Sequence, residues 1–124
     1  MEFRVTLPAA DLVRARAWYT SVLNLEPVRV EDNGDAWYET GSTHFLLYGS
    51  RFAGTNEATA ATIEVEDVEA TATELKARGA TLEDYDFGED FRTVDGLLTL
   101  PDGEKICWVK DSEGNILSIS PSRR

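Results

Sequence analysis

The sequence predicts an α+β fold of two βαβββ modules, about residues 1–50 and 58–124, within one domain. Three observations predict it. Two helix-cap aspartates, Asp11 and Asp67, stand 67 − 11 = 56 positions apart, and the strand before each cap and the helix after it match at that offset. Each helical pattern is preceded by one short strand-like run and followed by three. The closing strands also correspond: Leu46 and Ser118 hold like places, 118 − 46 = 72 positions apart. The 72 − 56 = 16 extra positions fall in the acidic-aromatic stretch "LEDYDFGEDFRTVDG". A helix with one apolar stripe and a sheet with one apolar face must pack together. Two such units, too thin alone, are expected to join as a curved mixed sheet with helices outside and a concave inner face.

The elements follow in order. "FRVTL", residues 3–7, alternates, is β-branched and reads as a strand that Pro8 ends. Asp11 caps the helix "LVRARAWYTSVLN", whose Leu12, Ala15, Trp18, Tyr19 and Val22 follow helical spacing. "EPVRV" and "DAWYETG" read as strands around the Asn33-Gly34 turn, and "THFLLYG" as a strand entered through Gly41-Ser42. In the second half "ATIEVE" is a strand, and Asp67 caps "VEATATELKARG", which ends at a C′ glycine, Gly79. "LLTLPDGEKICWV" is a hairpin around Pro101-Asp102-Gly103. The last hairpin, "CWVKDSEGNILSIS", turns through Ser112-Glu113-Gly114 with Gly114 at positive φ, which sets its register. Cys107, Val109, Leu117 and Ile119 then share an apolar face, and Trp108, Lys110, Ile116, Ser118 and Ser120 a mixed one. The apolar face is expected in the core and the mixed face in the concavity.

Composition narrows the function. The 124 residues, 42% hydrophobic and 28% charged, suit a globular chain with a real core. A net charge of −11 argues against nucleic acid and anionic membrane surfaces, which need clustered Lys and Arg. No apolar run approaches the ~20 residues of a membrane-spanning helix. "MEFRVTLP" has no long apolar stretch followed by a cleavage site, so the expected compartment is the cytosol. Cys107, the only cysteine, lies on the core face and reads as a small buried hydrophobe. There is no phosphate loop, Cys/His metal spacing or nucleophile motif.

The paired βαβββ pattern, with "LPAADLVRARAWYTSVLNLEPV" opening one half and "VKDSEGNILSIS" closing the other, resembles the vicinal oxygen chelate superfamily. That group contains glyoxalase I, bleomycin-resistance proteins, fosfomycin-resistance enzymes and extradiol dioxygenases. The turn "D-S-E-G-N" departs mildly from the usual Asp-Pro-Asp-Gly-Asn, with Ser112 and Glu113 in place of Pro and Asp. The resemblance implies four inward metal-ligand places, corresponding here to Arg4, Leu46, Ala60 and Ser118. Arginine is a permanent cation, Leu and Ala offer no lone pair, and a lone serine is a weak ligand. The implied branch is therefore the bleomycin-resistance-like one lacking the metal site, with no cofactor. The resemblance also implies a homodimer whose pockets are built from both chains.

The ligand-binding candidates are Arg4, Thr6, His44, Leu46, Tyr48, Trp108 and Ser118. Trp108 lies beside Ser118 on the inner face, where the similar position of fosfomycin-resistance enzymes contacts substrate; otherwise it fills the concavity as core. Arg4 has inward parity and would pair with a carboxylate such as Glu64, bind an anionic group of the ligand, or face solvent at the strand's start. His44 reads as a general acid or base, a ligand hydrogen bond, or a polar residue at the sheet rim. Either Trp37 or Tyr38 faces inward, and parity alone does not choose. The loop "EDYDFGEDF" reads as a lid for a cationic aromatic ligand or as a solvated connection. The expected function is sequestration of a hydrophobic or aromatic natural product, as in antibiotic resistance. The alternatives are a metal-independent isomerase or lyase using His44 or Arg4, and an interaction domain without a ligand.

Overall fold

The structure, a computed structural model, describes residues 1–123. Strand β1 (Val5–Ala9), helix α1 (Leu12–Leu23) and strands β2 (Arg29–Val30), β3 (Ala36–Thr40) and β4 (Thr43–Gly49) form the first module. Strand β5 (Thr59–Val65), helix α2 (Val68–Ala77) and strands β6 (Leu97–Thr99), β7 (Lys105–Lys110) and β8 (Ile116–Pro121) form the second. The sheet orders, β1-β4-β3-β2 and β5-β8-β7-β6, are one topology used twice. In each, the first strand lies parallel to the last and the other pairs are antiparallel. The expected two-module α+β fold is what the chain adopts. The strands remain two four-stranded sheets, and the modules are joined by side chains and turns instead of a shared ladder.

Both helices start where a carboxylate caps them. Asp11 accepts from the Arg14 backbone N–H at 3.1 Å and Asp67 from that of Ala70 at 3.0 Å, each relieving an otherwise unpaired donor. Gly79, at φ +99°, follows α2 as the left-handed C′ residue. Ala15, Tyr19 and Val22 of α1 and Val68, Ala72 and Leu75 of α2 are the buried stripes. They pack on Ala36, Tyr38 and Leu47 in one sheet and on Cys107, Val109, Leu117 and Ile119 in the other, as one cluster spanning both modules. Each fully buried aliphatic or aromatic side chain there contributes about 1.5–3 kcal/mol.

Three local expectations are corrected. Pro8 does not end the first strand; β1 runs through it to Ala9. It can do so because β1 is an edge strand, where a missing N–H removes no ladder bond, and the Pro8 carbonyl accepts from Asn115 Nδ2 at 2.9 Å. "EPVRV" yields only the two residues of β2. In β5 the register slips between Thr59, opposite Ile116, and Ala61, opposite Leu117. Ala60 is the extra residue of this bulge and packs against the core, so it does not share the face of Thr62 and Glu64.

The "DSEGN" turn fastens the modules together. Asp111 accepts from the backbone N–H groups of Glu113 and Asn115, from Asn115 Nδ2 at 2.8 Å, and from the Tyr19 hydroxyl of α1 at 2.7 Å. Glu113 accepts from the Asp11 backbone N–H at 2.9 Å and from the forked guanidinium of Arg14 at 2.8 and 2.9 Å. Gly114 and Gly54 stand at positive φ with their backbones so close that a Cβ on Gly114 would lie 2.9 Å from the Gly54 Cα.

Candidate functional site

The hairpin register puts Trp108 directly opposite Ser118, and Ser118 opposite Thr62 on the next strand. These three side chains form a row across β7, β8 and β5 on the face away from the helices. The Thr62 and Ser118 hydroxyls are 2.7 Å apart and share a hydrogen bond. The row floors a hollow of ≈ 380 Å³ lined also by Thr59, Glu64, Ile106, Ser120 and Arg123. A volume of this size suits one small ring system. A tryptophan face offers area at little entropy cost, and a paired hydroxyl couple can give or take one hydrogen bond from a ligand edge.

The first sheet carries the equivalent row. Trp37 lies opposite Leu46, and Leu46 opposite Thr6. Thr6 and Thr62 differ by 62 − 6 = 56 positions, the same offset as the helix caps. Trp37 is therefore the inward residue of its pair, whereas Tyr38 is fully buried and stacks on Phe45 at 4.7 Å under α1. Burial pushes the Tyr38 hydroxyl up to about 12.

Of the predicted site residues, the hollow takes in Trp108 and Ser118. Arg4, Thr6, His44, Leu46 and Tyr48 lie on or just before the strands of the first sheet and none lines it. Arg4 precedes β1, pairs with Glu2 at 3.2 Å and places its guanidinium 5.6 Å from the Trp37 ring centre. Glu64, its expected partner, instead accepts from the Arg123 backbone N–H at 3.0 Å. His44 Nε2 lies 3.1 Å from Glu39 on the neighbouring strand, and its side chain is 41% exposed, which places it at the sheet rim.

The four ligand places do not form a donor set. Arg4 is held over Trp37, Leu46 has no lone pair, Ala60 is turned out of the face by the bulge, and the Ser118 hydroxyl is paired with Thr62. Among the described residues no three His, Cys, Asp or Glu side chains converge. These residues do not fit a divalent metal, which needs several lone-pair donors at bonding distance.

Two neighbours of the site were not among its predicted residues. Thr62 has inward parity on β5 and the same offset from Thr6 as the helix caps. Tyr85 belongs to the acidic-aromatic loop that the sequence read as a lid or a solvated connection, and its ring meets Trp108 edge-on at 5.5 Å. Cys107, next to Trp108 on β7 but fully buried on the core face, has its thiol pushed up to about 11 by burial and takes no part in the open face. No helix among the described residues is long and apolar enough to cross a membrane.

The family model described as the Glyoxalase/Bleomycin resistance protein/Dioxygenase superfamily matches residues 3–119. No curated protein is similar enough in sequence to count as a relative. Among solved structures, a lactoylglutathione lyase from Agrobacterium tumefaciens is similar at a TM-score of 0.73 and 18% identity, over 98% of this chain and 93% of that one. A glyoxalase/bleomycin resistance protein from Catenulispora acidiphila gives 0.71 and 20%, over 98% of both chains. A bleomycin-binding protein solved with bleomycin gives 0.70 and 14%, over 99% of both. At these identities the structural likeness is one of fold, while the sequence model reaches nearly end to end. The chain belongs to the Glyoxalase/Bleomycin resistance protein/Dioxygenase superfamily.

Proposed function

We propose that the protein binds a small hydrophobic or aromatic molecule without a metal, stacking it on Trp108, and sequesters it as a resistance-type binder would. The observation that carries this reading is the Trp108–Ser118–Thr62 row: an aromatic platform beside a hydroxyl pair in a hollow of ≈ 380 Å³, where the implied ligand places cannot supply a metal's donors. A bleomycin-binding protein of the same fold, solved with bleomycin, supports a binding role, as does a bleomycin resistance determinant encoded on the transposon Tn5. The protein acts as a homodimer in this reading, because each sheet has a helix on one face only and the other face is open to a second copy.

Stacking contributes about 0.5–1.5 kcal/mol beyond area burial, so loss of the indole should weaken binding at least ~10-fold, or about 1.4 kcal/mol. Screening planar aromatic compounds by tryptophan quenching tests this. Trp108→Ala should remove most of the quenching with the circular dichroism spectrum unchanged, and Trp18→Phe on α1 should leave binding nearly intact. If no compound binds the native protein, or Trp108→Ala unfolds it, Trp108 is a packing residue and the reading fails.

A further inference from the structure

The turn between β2 and β3 holds two neighbouring residues placed to react with each other. The chain has four asparagines, Asn24, Asn33, Asn56 and Asn115, and of these Asn33 alone is followed by a glycine. The backbone nitrogen after an asparagine can attack the side-chain amide carbon, and a Cβ on the attacking residue crowds that approach. Gly34 has none. Asn33 is exposed at the tip of the turn, where water reaches it.

Two hydrogen bonds act on this pair in opposite senses. The Asp35 backbone N–H donates to Asn33 Oδ1 at 3.0 Å. This Asx turn closes a ring that contains both the Gly34 nitrogen and the amide carbon. The same donor polarises the amide carbonyl at the oxygen where negative charge develops on attack. Against it, the Gly34 N–H donates to the Glu31 carbonyl at 2.9 Å, so the attack waits on the opening of that bond. Bonds in exposed turns are among the first a folded chain opens.

The other asparagines supply the contrasts. Asn56 is exposed and carries the same Asx turn, its Oδ1 accepting from the Ala58 N–H at 3.0 Å, but Glu57 follows it. Asn115 is buried, gives its Nδ2 to the Pro8 carbonyl and to Asp111, and precedes Ile116. Asn24 precedes Leu25, whose N–H is held by the Tyr19 carbonyl at 3.0 Å.

We infer that Asn33 is a site of spontaneous modification, converting to aspartate and isoaspartate, and that isoaspartate there loosens the edge strand β2. Hydroxide takes the Gly34 amide proton, the nitrogen bonds to Asn33 Cγ, and the Cγ–Nδ2 bond breaks to release ammonia. The cyclic imide then adds one water. Opening at Cγ gives aspartate, and opening at the main-chain carbonyl gives isoaspartate. Isoaspartate routes the backbone through Cβ and lengthens the turn by one carbon. It also sets a new charge beside Glu31, Asp32 and Asp35, which repel it. Strand β2 resists weakly, since two residue pairs, Arg29 with Trp37 and Val30 with Ala36, hold it to β3. The Trp37 indole N–H donates to Glu31 at 3.1 Å, so that ring senses the turn.

Trypsin leaves each asparagine on its own peptide, 17–29, 30–51, 52–76 and 111–123, which makes the test internal to the intact chain. The protein is aged in neutral and in mildly alkaline buffer, then digested and weighed. Peptide 30–51 should gain the mass difference between amide and acid at least ~10-fold faster than 52–76, and faster still in alkali. A methyltransferase specific for isoaspartate should label 30–51. Gly34→Ala should slow Asn33 toward the rate of Asn56, and Asn33→Ser should abolish the label. In aged ¹⁵N-labelled protein the Trp37 indole signal should move and that of Trp18 should stay. Because both rates come from the unaltered chain, the comparison holds even if a variant misfolds. Equal rates at Asn33 and Asn56, or aspartate formed without isoaspartate, would overturn the cyclic route. A labelled turn with the Trp37 signal unmoved would overturn the loosening of β2.

Discussion

Glu113 shows how one side chain can hold two modules in place. Its carboxylate is fully enclosed, yet Arg14, the Asp11 N–H and the Ser112 hydroxyl all donate to it. Those donors, the Arg14 guanidinium first, hold its pKa down at about 2, against the burial that would raise it. A folded-state pKa below the unfolded value near 4.5 means this stabilisation is complete above about pH 4.5 and is lost as pH falls through about 2. Urea midpoints of the wild type and Glu113→Gln should therefore differ most at neutral pH and converge in strong acid. A gap that widens on acidification would contradict the assignment. The sequence marked this turn as the one that sets the hairpin register, and the register is as expected, with Trp108 opposite Ser118. It did not show that Glu113 reaches Arg14, 99 positions away, because a contact across the module junction leaves no local pattern.

At the scale of elements, the helices and most strands were legible because each is locally consistent: a capping aspartate, a 3.6-residue stripe, a C′ glycine, an alternating run. The misread elements are those decided by position in the sheet. Pro8 is tolerated because its strand is at an edge, and Ala60 leaves its face because the parallel β5–β8 ladder slips by a residue. Neither is written in the segment itself. Glycines test the same point. Gly103 and Gly114 have nearly equal φ, +89° and +88°, but a Cβ on Gly103 would meet nothing within 4 Å whereas one on Gly114 would strike Gly54 at 2.9 Å. Gly103→Ala should cost only the left-handed penalty, about 1–2 kcal/mol. Gly114→Ala should cost clearly more, because backbone must move apart at the module junction. Chemical denaturation of the two variants checks the order, and equal losses would remove the junction from the account.

The whole molecule has two open sheet faces bearing equivalent rows, Thr6–Leu46–Trp37 and Thr62–Ser118–Trp108. The second floors the hollow of ≈ 380 Å³. The repeat was legible in the offsets, and so was the inward parity of Trp108 and Ser118. The choice between Trp37 and Tyr38 needed the register of β3 against β4. Exposed Val5, Val30 and Phe3 add apolar surface to the first module. A second copy covering these faces should bury about 1,600 Å². Light scattering at micromolar concentration should then report twice the 13.8 kDa chain mass. A stable single-chain mass would count against pockets shared between copies.

The most direct measurement of the central claim reads the tryptophans one at a time. The chain has three, Trp18, Trp37 and Trp108, so a ¹⁵N-labelled sample should show three indole N–H signals, assigned by single substitutions. Titration with 2-naphthol, a neutral bicyclic aromatic, in excess chelator should move the Trp108 signal progressively and leave that of Trp18 in place. A Trp108 signal that stays fixed at saturating 2-naphthol, or moves only after a divalent metal is restored, would contradict metal-free stacking on this platform.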